Sequence, residues 1–295
     1  MISDDQADEV YISDLLEGRH PSLVERLRSI LVDHGVPLGV IGGTRDIWCR
    51  DYMPIQVGPG EFVRFRYAPD YLRGYEHLIT APGDIGTIAE IRTLVRSEIV
   101  LDGGNVVNWG NRCIVTDKVF RENPGISRDT LIGSLRDLLR VEDLIVIPNE
   151  PYDVVGHADG VVRFLDEGTV VVNDYGAVAP WYGRRLRSAL RGAGLDWVEL
   201  PYRPEESSGG DLPSAVGCYA NFLMVRGLIV VPSYGDGNDD RACRVFEENK
   251  DGVAVVPLGC RSLAREGGVL NCVTWTIAEC RNRIASCPHE ENHQR

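Results

Sequence analysis

A chain of 295 residues with 31 basic and 44 acidic side chains carries a formal net charge of −13, which argues against nucleic-acid binding and suits a cationic ligand. Its apolar share of 43% and charged share of 25% are ordinary for a soluble globular protein. No apolar run approaches the ~18 residues of a membrane span, and the acidic first nine residues lack the basic and apolar regions of a secretion signal.

The eight cysteines stand singly, with no Cys-x-x-Cys pair. Reduced thiols and a cytoplasmic setting are therefore expected.

In chain order, one pattern recurs five times: a helix, a strand, then a polar motif. Leu23, Leu27, Ile30 and Leu31 share one face of a helix over residues 21–34, with Gly35 as its stop signal. A strand over 36–41 and the motif Thr44-Arg-Asp-Ile-Trp-Cys-Arg-Asp51 follow. A second helix is expected over 85–97, then a strand over 99–101 and Asp102-Gly-Gly-Asn105.

The third unit carries the helical stripe Leu131, Ile132, Leu135, Leu138, Leu139, a strand over 144–147, and His157. In the fourth, Pro180 opens a helix, and a strand over 197–200 leads to Ser207-Ser-Gly-Gly-Asp211. The fifth places a helix over 239–249, a strand over 253–256, and Cys272 within a strand over 269–277. A strand over 169–173 and a hairpin over 221–231, turning at Arg226-Gly227, lie between.

The motifs at 51, 105, 157, 211 and 272 recur every ~50–60 residues, a period that signals a cyclic or stacked architecture. Each unit reads as a ββαβ module, and five modules can close around an axis on which the motifs converge. No linker interrupts them, so residues 1–295 read as one domain with a frayed polar tail from about 281.

His157 and Asp159, two residues apart on an expected strand, point to one side of the sheet. Cys272 offers a nucleophilic thiol amid small residues. His157 suits a general acid and base that protonates departing ammonia and then activates water. Asp51 and Asp159 can hold a planar guanidinium with its central carbon open to the thiolate.

Trp48 offers an apolar or cation–π wall, and Asn105 a polar contact to substrate. Asp211 and the loop 234–240 read as solvated turns. His-x-Asp lacks the further ligands of a metal site. His289-Glu-Glu-Asn-His293 matches a zinc-protease pattern but leaves no room for a packed helix or third ligand, so it is set aside.

With these residues in hand, the chain resembles the agmatine deiminase and bacterial peptidylarginine deiminase family. The resemblance spans residues 44–277. It rests on Thr44-Arg-Asp-Ile-Trp-Cys-Arg-Asp-Tyr-Met-Pro54, Leu101-Asp-Gly-Gly-Asn105, Gly156-His-Ala-Asp-Gly160 with Arg163-Phe164, and Gly267-Gly-Val-Leu-Asn-Cys272. It implies the pentein fold, a five-bladed α/β propeller of ββαβ modules with pseudo-five-fold symmetry.

It also implies Cys272 as nucleophile, His157 as acid/base, and Asp51 and Asp159 as guanidinium ligands. The expected partner is a small cationic guanidino substrate, with no metal or organic cofactor, no nucleic acid and no membrane. Oligomeric state stays open.

Family members usually carry a histidine before the nucleophile and a glutamate in the Gly-Gly motif, where this chain has Asn271 and Asp102. Those departures put agmatine itself in question and leave the core chemistry standing. Amidino transfer, methylarginine or peptide-borne arginine hydrolysis, and a non-catalytic binding protein remain as alternatives.

Overall fold

A computed structural model describes residues 1–85, 88–151, 153–205 and 213–278 of the chain. Among these, fifteen strands form five three-stranded sheets. In every sheet the middle strand pairs antiparallel on one side and parallel on the other.

In the first, β1 (Glu9–Ser13) runs parallel to β2 (Leu38–Ile41). The next sheets take β3 (Ile55–Gly58), β4 (Glu61–Arg66) and β5 (Thr93–Val100), then β6 (Val107–Trp109), β7 (Arg112–Thr116) and β8 (Asp143–Ile147). The fourth takes β9 (Val162–Phe164), β10 (Thr169–Asn173) and β11 (Asp196–Leu200). The fifth takes β12 (Leu223–Val225), β13 (Leu228–Ser233) and β14 (Ala254–Gly259). Finally β15 (Thr274–Ile277) returns to pair antiparallel with β1, Glu9 opposite Ile277, and ties the last unit to the first.

A parallel pair needs a crossover connection, and helices supply it in four units. The helices α1 (Asp14–Arg19) and α2 (Pro21–Asp33) join β1 to β2, and the single turn α3 (Cys49–Tyr52) follows. Next come α4 (Lys118–Glu122) and α5 (Arg128–Leu139), then α6 (Pro180–Gly192) and α7 (Asp239–Asn249), with the short α8 (Arg261–Ala264) after β14.

Their apolar stripes explain their docking. Leu23, Leu27, Ile30 and Leu31 are buried on α2, and Leu131, Leu135 and Leu139 on α5; each such side chain contributes ~1.5–3 kcal/mol on burial. Proline opens α2 and α6, where its missing N–H costs nothing. The Ser127 hydroxyl caps α5 by accepting from the Thr130 N–H.

Three expectations are corrected. Among the described residues of 85–97 there is no helix, and β5 takes most of the latter half. Ile85, Ile88, Ile91 and Leu94 mimic a helical stripe but pack against the cluster of Ile41, Tyr52, Phe62 and Trp275, while the β-branched run after Arg92 joins β4 in parallel.

His157 and Asp159 do not sit on a strand. His157 is extended and leads into a 3-10 turn over Ala158–Gly160, started by Gly156 at φ +70°. Cys272 precedes a strand instead of lying within one, because the segment before Thr274 is a turn. Asp211, the 281–295 tail and the His289 motif lie outside the described residues. Among the described residues no helix is long and apolar enough to cross a membrane.

Candidate active site

Each unit ends in a loop between its parallel third strand and the next unit, and these loops meet. The chain bends there through α3, the 3-10 turn Gly103–Asn105, the turn Ala158–Gly160, and the turn before β15. The fourth unit's described contribution is Asn221, ahead of β12. These are the pieces that bring Asp51, Asp102, His157, Asp159 and Cys272 together.

Glycine permits the approach. A Cβ added at Gly104 would stand 2.6 Å from both Asp51 Oδ1 and His157 Nδ1, so only glycine lets the backbone pass between them. The Gly104 N–H instead donates to Asp51 Oδ1 at 3.0 Å. At Gly268 a Cβ would fall 2.6 Å from the Trp48 ring and 3.1 Å from Cys272 Cβ.

His157 lies between two carboxylates, with Nε2 2.9 Å from Asp102 Oδ2 and Nδ1 3.4 Å from Asp51 Oδ1. Asp159 Oδ2 accepts from the Asn271 amide at 2.6 Å and stands 3.9 Å from Cys272 Sγ. The Cys272 N–H donates to Asn221 Oδ1 at 3.2 Å, and the Asn271 N–H to the Asn221 carbonyl. Arg50 ties α3 to the same turn through the Asn271 carbonyl and Thr276. Asp51, Asp102, His157 and Asp159 are all buried; Cys272 is half-buried.

The electrostatics follow from burial and neighbours. Burial pushes Asp51 up to about 7, with Asp102 and Asp159 adding repulsion and His157 opposing. Burial also works against Asp102, but the hydrogen bond and charge of His157, with Lys118 behind, hold it below the usual carboxylate range. For His157, burial is outweighed by Asp51 and Asp102, which raise it to about 9.

Cys272 is driven well above the ordinary thiol range by burial and by the Asp159 and Asp51 carboxylates. These surroundings favour an imidazolium at His157 and a neutral thiol at Cys272.

A cavity of about 310 Å³ opens from Cys272, His157 and Asp159. Farther along, Glu150, Asp153 and Glu205 line it, Glu205 paired with Arg261 and Arg265, and no lysine or arginine is among its described lining residues. Glu150 accepts hydrogen bonds from the Tyr175 and Tyr202 hydroxyls at 2.8 and 3.0 Å; burial pushes its carboxyl up to about 7. Among the described residues no group of three or more His, Cys, Asp and Glu side chains is placed to hold a metal ion.

Of the residues singled out in the sequence, four converge: Asp51, His157, Asp159 and Cys272. Three of these line the cavity; Asp51 stands behind them against His157, and Trp48 and Asn105 do not line it. Trp48 packs behind the wall at Gly268, and Asn105 Oδ1 accepts from the Thr116 N–H at 2.9 Å, bracing the turn onto β7.

Sequence reasoning missed Asp102 as the partner of His157, Asn271 and Asn221 as supports of the thiol turn, and Lys118 and Glu150 altogether. The Asp-Gly-Gly-Asn motif was a signal for Asp102. Nothing local marks the others.

The chain matches the family model for the Porphyromonas-type peptidyl-arginine deiminase over residues 19–277. It is 26% identical to an agmatine deiminase of Pseudomonas putida over 279 residues, covering 78% of this chain and 73% of that protein. It is 29% identical to an agmatine deiminase of Pseudomonas aeruginosa over 212 residues, covering 60% of this chain and 56% of that one, so the match spans just over half that relative's length.

Among solved structures it is similar to the C. jejuni C315S agmatine deiminase with substrate bound, with a TM-score of 0.77, 16% identity, and 94% and 96% of the two chains covered. The five units thus form the pentein fold.

Proposed function

Because this chain belongs to the Porphyromonas-type peptidyl-arginine deiminase family, we propose that it is a metal-independent guanidine deiminase, releasing ammonia and a ureido product from agmatine or a close relative. The observation that carries this reading is the cavity itself. A thiol, an imidazole and the Asp159 carboxylate meet at one end, with Asp51 against the imidazole, and the rest of the charged lining among the described residues is acidic.

A guanidinium docks between Asp51 and Asp159, whose negative charge its own charge offsets. With those carboxylates neutralised, the Cys272 proton is released to solvent and the thiolate attacks the guanidinium carbon. His157, already protonated between Asp51 and Asp102, gives its proton to the departing nitrogen, and ammonia leaves an S-alkylthiouronium on Cys272. The now neutral imidazole takes a proton from water as the water adds to the same carbon. Collapse of that adduct expels the thiolate and yields the ureido product, with the last proton ending on ammonia as ammonium.

The far end of the cavity selects the tail. An α-carboxylate would face Glu150 and Asp153, Glu205 being paired with Arg261 and Arg265, whereas a terminal ammonium would be stabilised beside those first two carboxyls. Agmatine therefore suits the site better than free arginine.

The test is ammonia release from agmatine, free arginine, methylated arginines and an arginine peptide, with Cys272→Ala as control. Turnover led by agmatine and lost in the variant is expected. Turnover that survives in Cys272→Ala would contradict the mechanism, and a guanidinylated amine instead of a ureido product would mean amidino transfer.

A further inference from the structure

Lys118 opens α4, and its side chain is fully shielded from solvent. Its ammonium lies 3.0 Å from Glu122 Oε1, 3.3 Å from Asp102 Oδ2 and 3.7 Å from Asp70 Oδ1. It also stands 4.9 Å over the ring of Tyr71, which meets the His157 imidazole edge-on at 6.0 Å. The stem of the lysine runs against Gly156, the residue just before His157. Asp102 Oδ2 is thus shared between this ammonium and the imidazole Nε2.

A buried cation is costly unless it is paired, and the reaction as described does not use this one. We propose that Lys118 is a positioning residue, whose ammonium holds the Asp102 carboxylate on His157 Nε2 and tempers the imidazole's grip on its proton. The kinetic side of this proposal rests on the deiminase reading; the electrostatic side does not.

His157 has two jobs in the reaction. To protonate ammonia it must be an imidazolium; to activate water it must give that proton up. Asp51 and Asp102 flank the ring and hold the proton firmly. A positive charge one carboxylate away opposes protonation, and Lys118 raises the energy of the imidazolium.

The groups facing the lysine are Glu122 from its own helix, Asp70 and Tyr71 from the 70–72 turn, Asp102 from the Gly-Gly motif, and His157 beyond it. Burial works against the lysine's charge, but Asp102 and Glu122 more than offset it. It therefore stays cationic across the range in which His157 titrates. Glu122 competes with Asp102 for the ammonium, so its removal must act in the opposite sense to removal of the lysine.

The experiment titrates the His157 ring protons by NMR in the wild type, Lys118→Met, Lys118→Arg and Glu122→Gln, and records kcat against pH with agmatine. In Lys118→Met the His157 midpoint should rise by ~0.5–1 unit, carry the acid limb of kcat with it, and lower kcat ~3–10-fold below that limb. Lys118→Arg should stay near the wild type. Glu122→Gln should move the midpoint down, and it decides the matter alone if Lys118→Met does not fold.

Unmoved midpoints, or a loss of kcat with an unmoved acid limb in folded variants, would overturn the proposal. Should the wild type turn over no guanidine, the deiminase reading fails while the NMR titration still judges Lys118.

Discussion

The Asn271 amide donates to Asp159 Oδ2 at 2.6 Å, and the same oxygen stands 3.9 Å from Cys272 Sγ. One residue before the thiol thus aims the carboxylate that faces it. Both partners are buried, so the bond is charge-assisted and shielded from water. In Asn271→Ala, Asp159 should lose that aim, with kcat/KM for agmatine falling ~10–100-fold, the equivalent of losing ~1.5–3 kcal/mol. Steady-state kinetics at saturating pH check this, and an unchanged kcat/KM would contradict it.

The thiol's surroundings make a claim about reactivity. Asp51 and Asp159 disfavour a second negative charge beside them, so Cys272 in the free protein should react slowly with neutral iodoacetamide at pH 7. A cationic haloacetamidine should label it faster, because it brings its own neutralising charge. Asp159→Asn removes one repulsive charge and should speed the iodoacetamide reaction at neutral pH. Labelling rates followed by intact mass decide; a faster neutral reagent would count against the picture.

Glu150 offers a pH-dependent trade between stability and binding. Burial raises its carboxyl in the folded state from the ordinary 4.5 to about 7. The sign follows: the folded chain holds this proton more tightly than the unfolded chain does. The resulting stability is complete below pH ~4.5 and is lost as pH rises through about 7.

Glu150→Gln, whose amide can reverse one of the tyrosine hydrogen bonds, should therefore gain ~1–3 kcal/mol over the wild type at pH 8.5 and nothing at pH 4.5. The same change removes an anion from the tail end of the cavity, so KM for agmatine at pH 8.5 should rise ~2–5-fold. Urea melts at the two pH values test the first half.

Gly104→Ala probes the convergence of the loops. Its Cβ would fall 2.6 Å from Asp51 Oδ1 and His157 Nδ1, and both are held by further partners. Activity should drop at least ~100-fold, with a stability loss of ~1–3 kcal/mol. Full activity would mean that the turn is not set as tightly as the distances require.

Much of this was legible in the sequence, for identifiable reasons. Helices α2, α5, α6 and α7 are amphipathic, and the first three have proline or serine at their starts, so period and start signal agree. The hairpin at Arg226-Gly227 is marked by its turn. The second unit's helix was misread because Ile85, Ile88, Ile91 and Leu94 repeat at a helical interval, while the β-branched run that follows belongs beside β4.

His157 and Asp159 do come together at the cavity but were wrongly placed on a strand, since a positive φ at Gly156 starts a turn there. Asp102, Lys118 and Glu150 stayed hidden because their importance comes from partners far along the chain: Asp102 meets His157 55 residues later, and Glu150 meets Tyr202 52 residues later. No local pattern encodes such pairings.

The most direct test of the central claim is intact-mass analysis of the protein acid-quenched during turnover of agmatine, beside Cys272→Ala. The account predicts a wild-type species heavier by the substrate less ammonia, mapping to Cys272 and absent from the variant. Ammonia release at full rate with no such adduct, or an adduct on another residue, would contradict it.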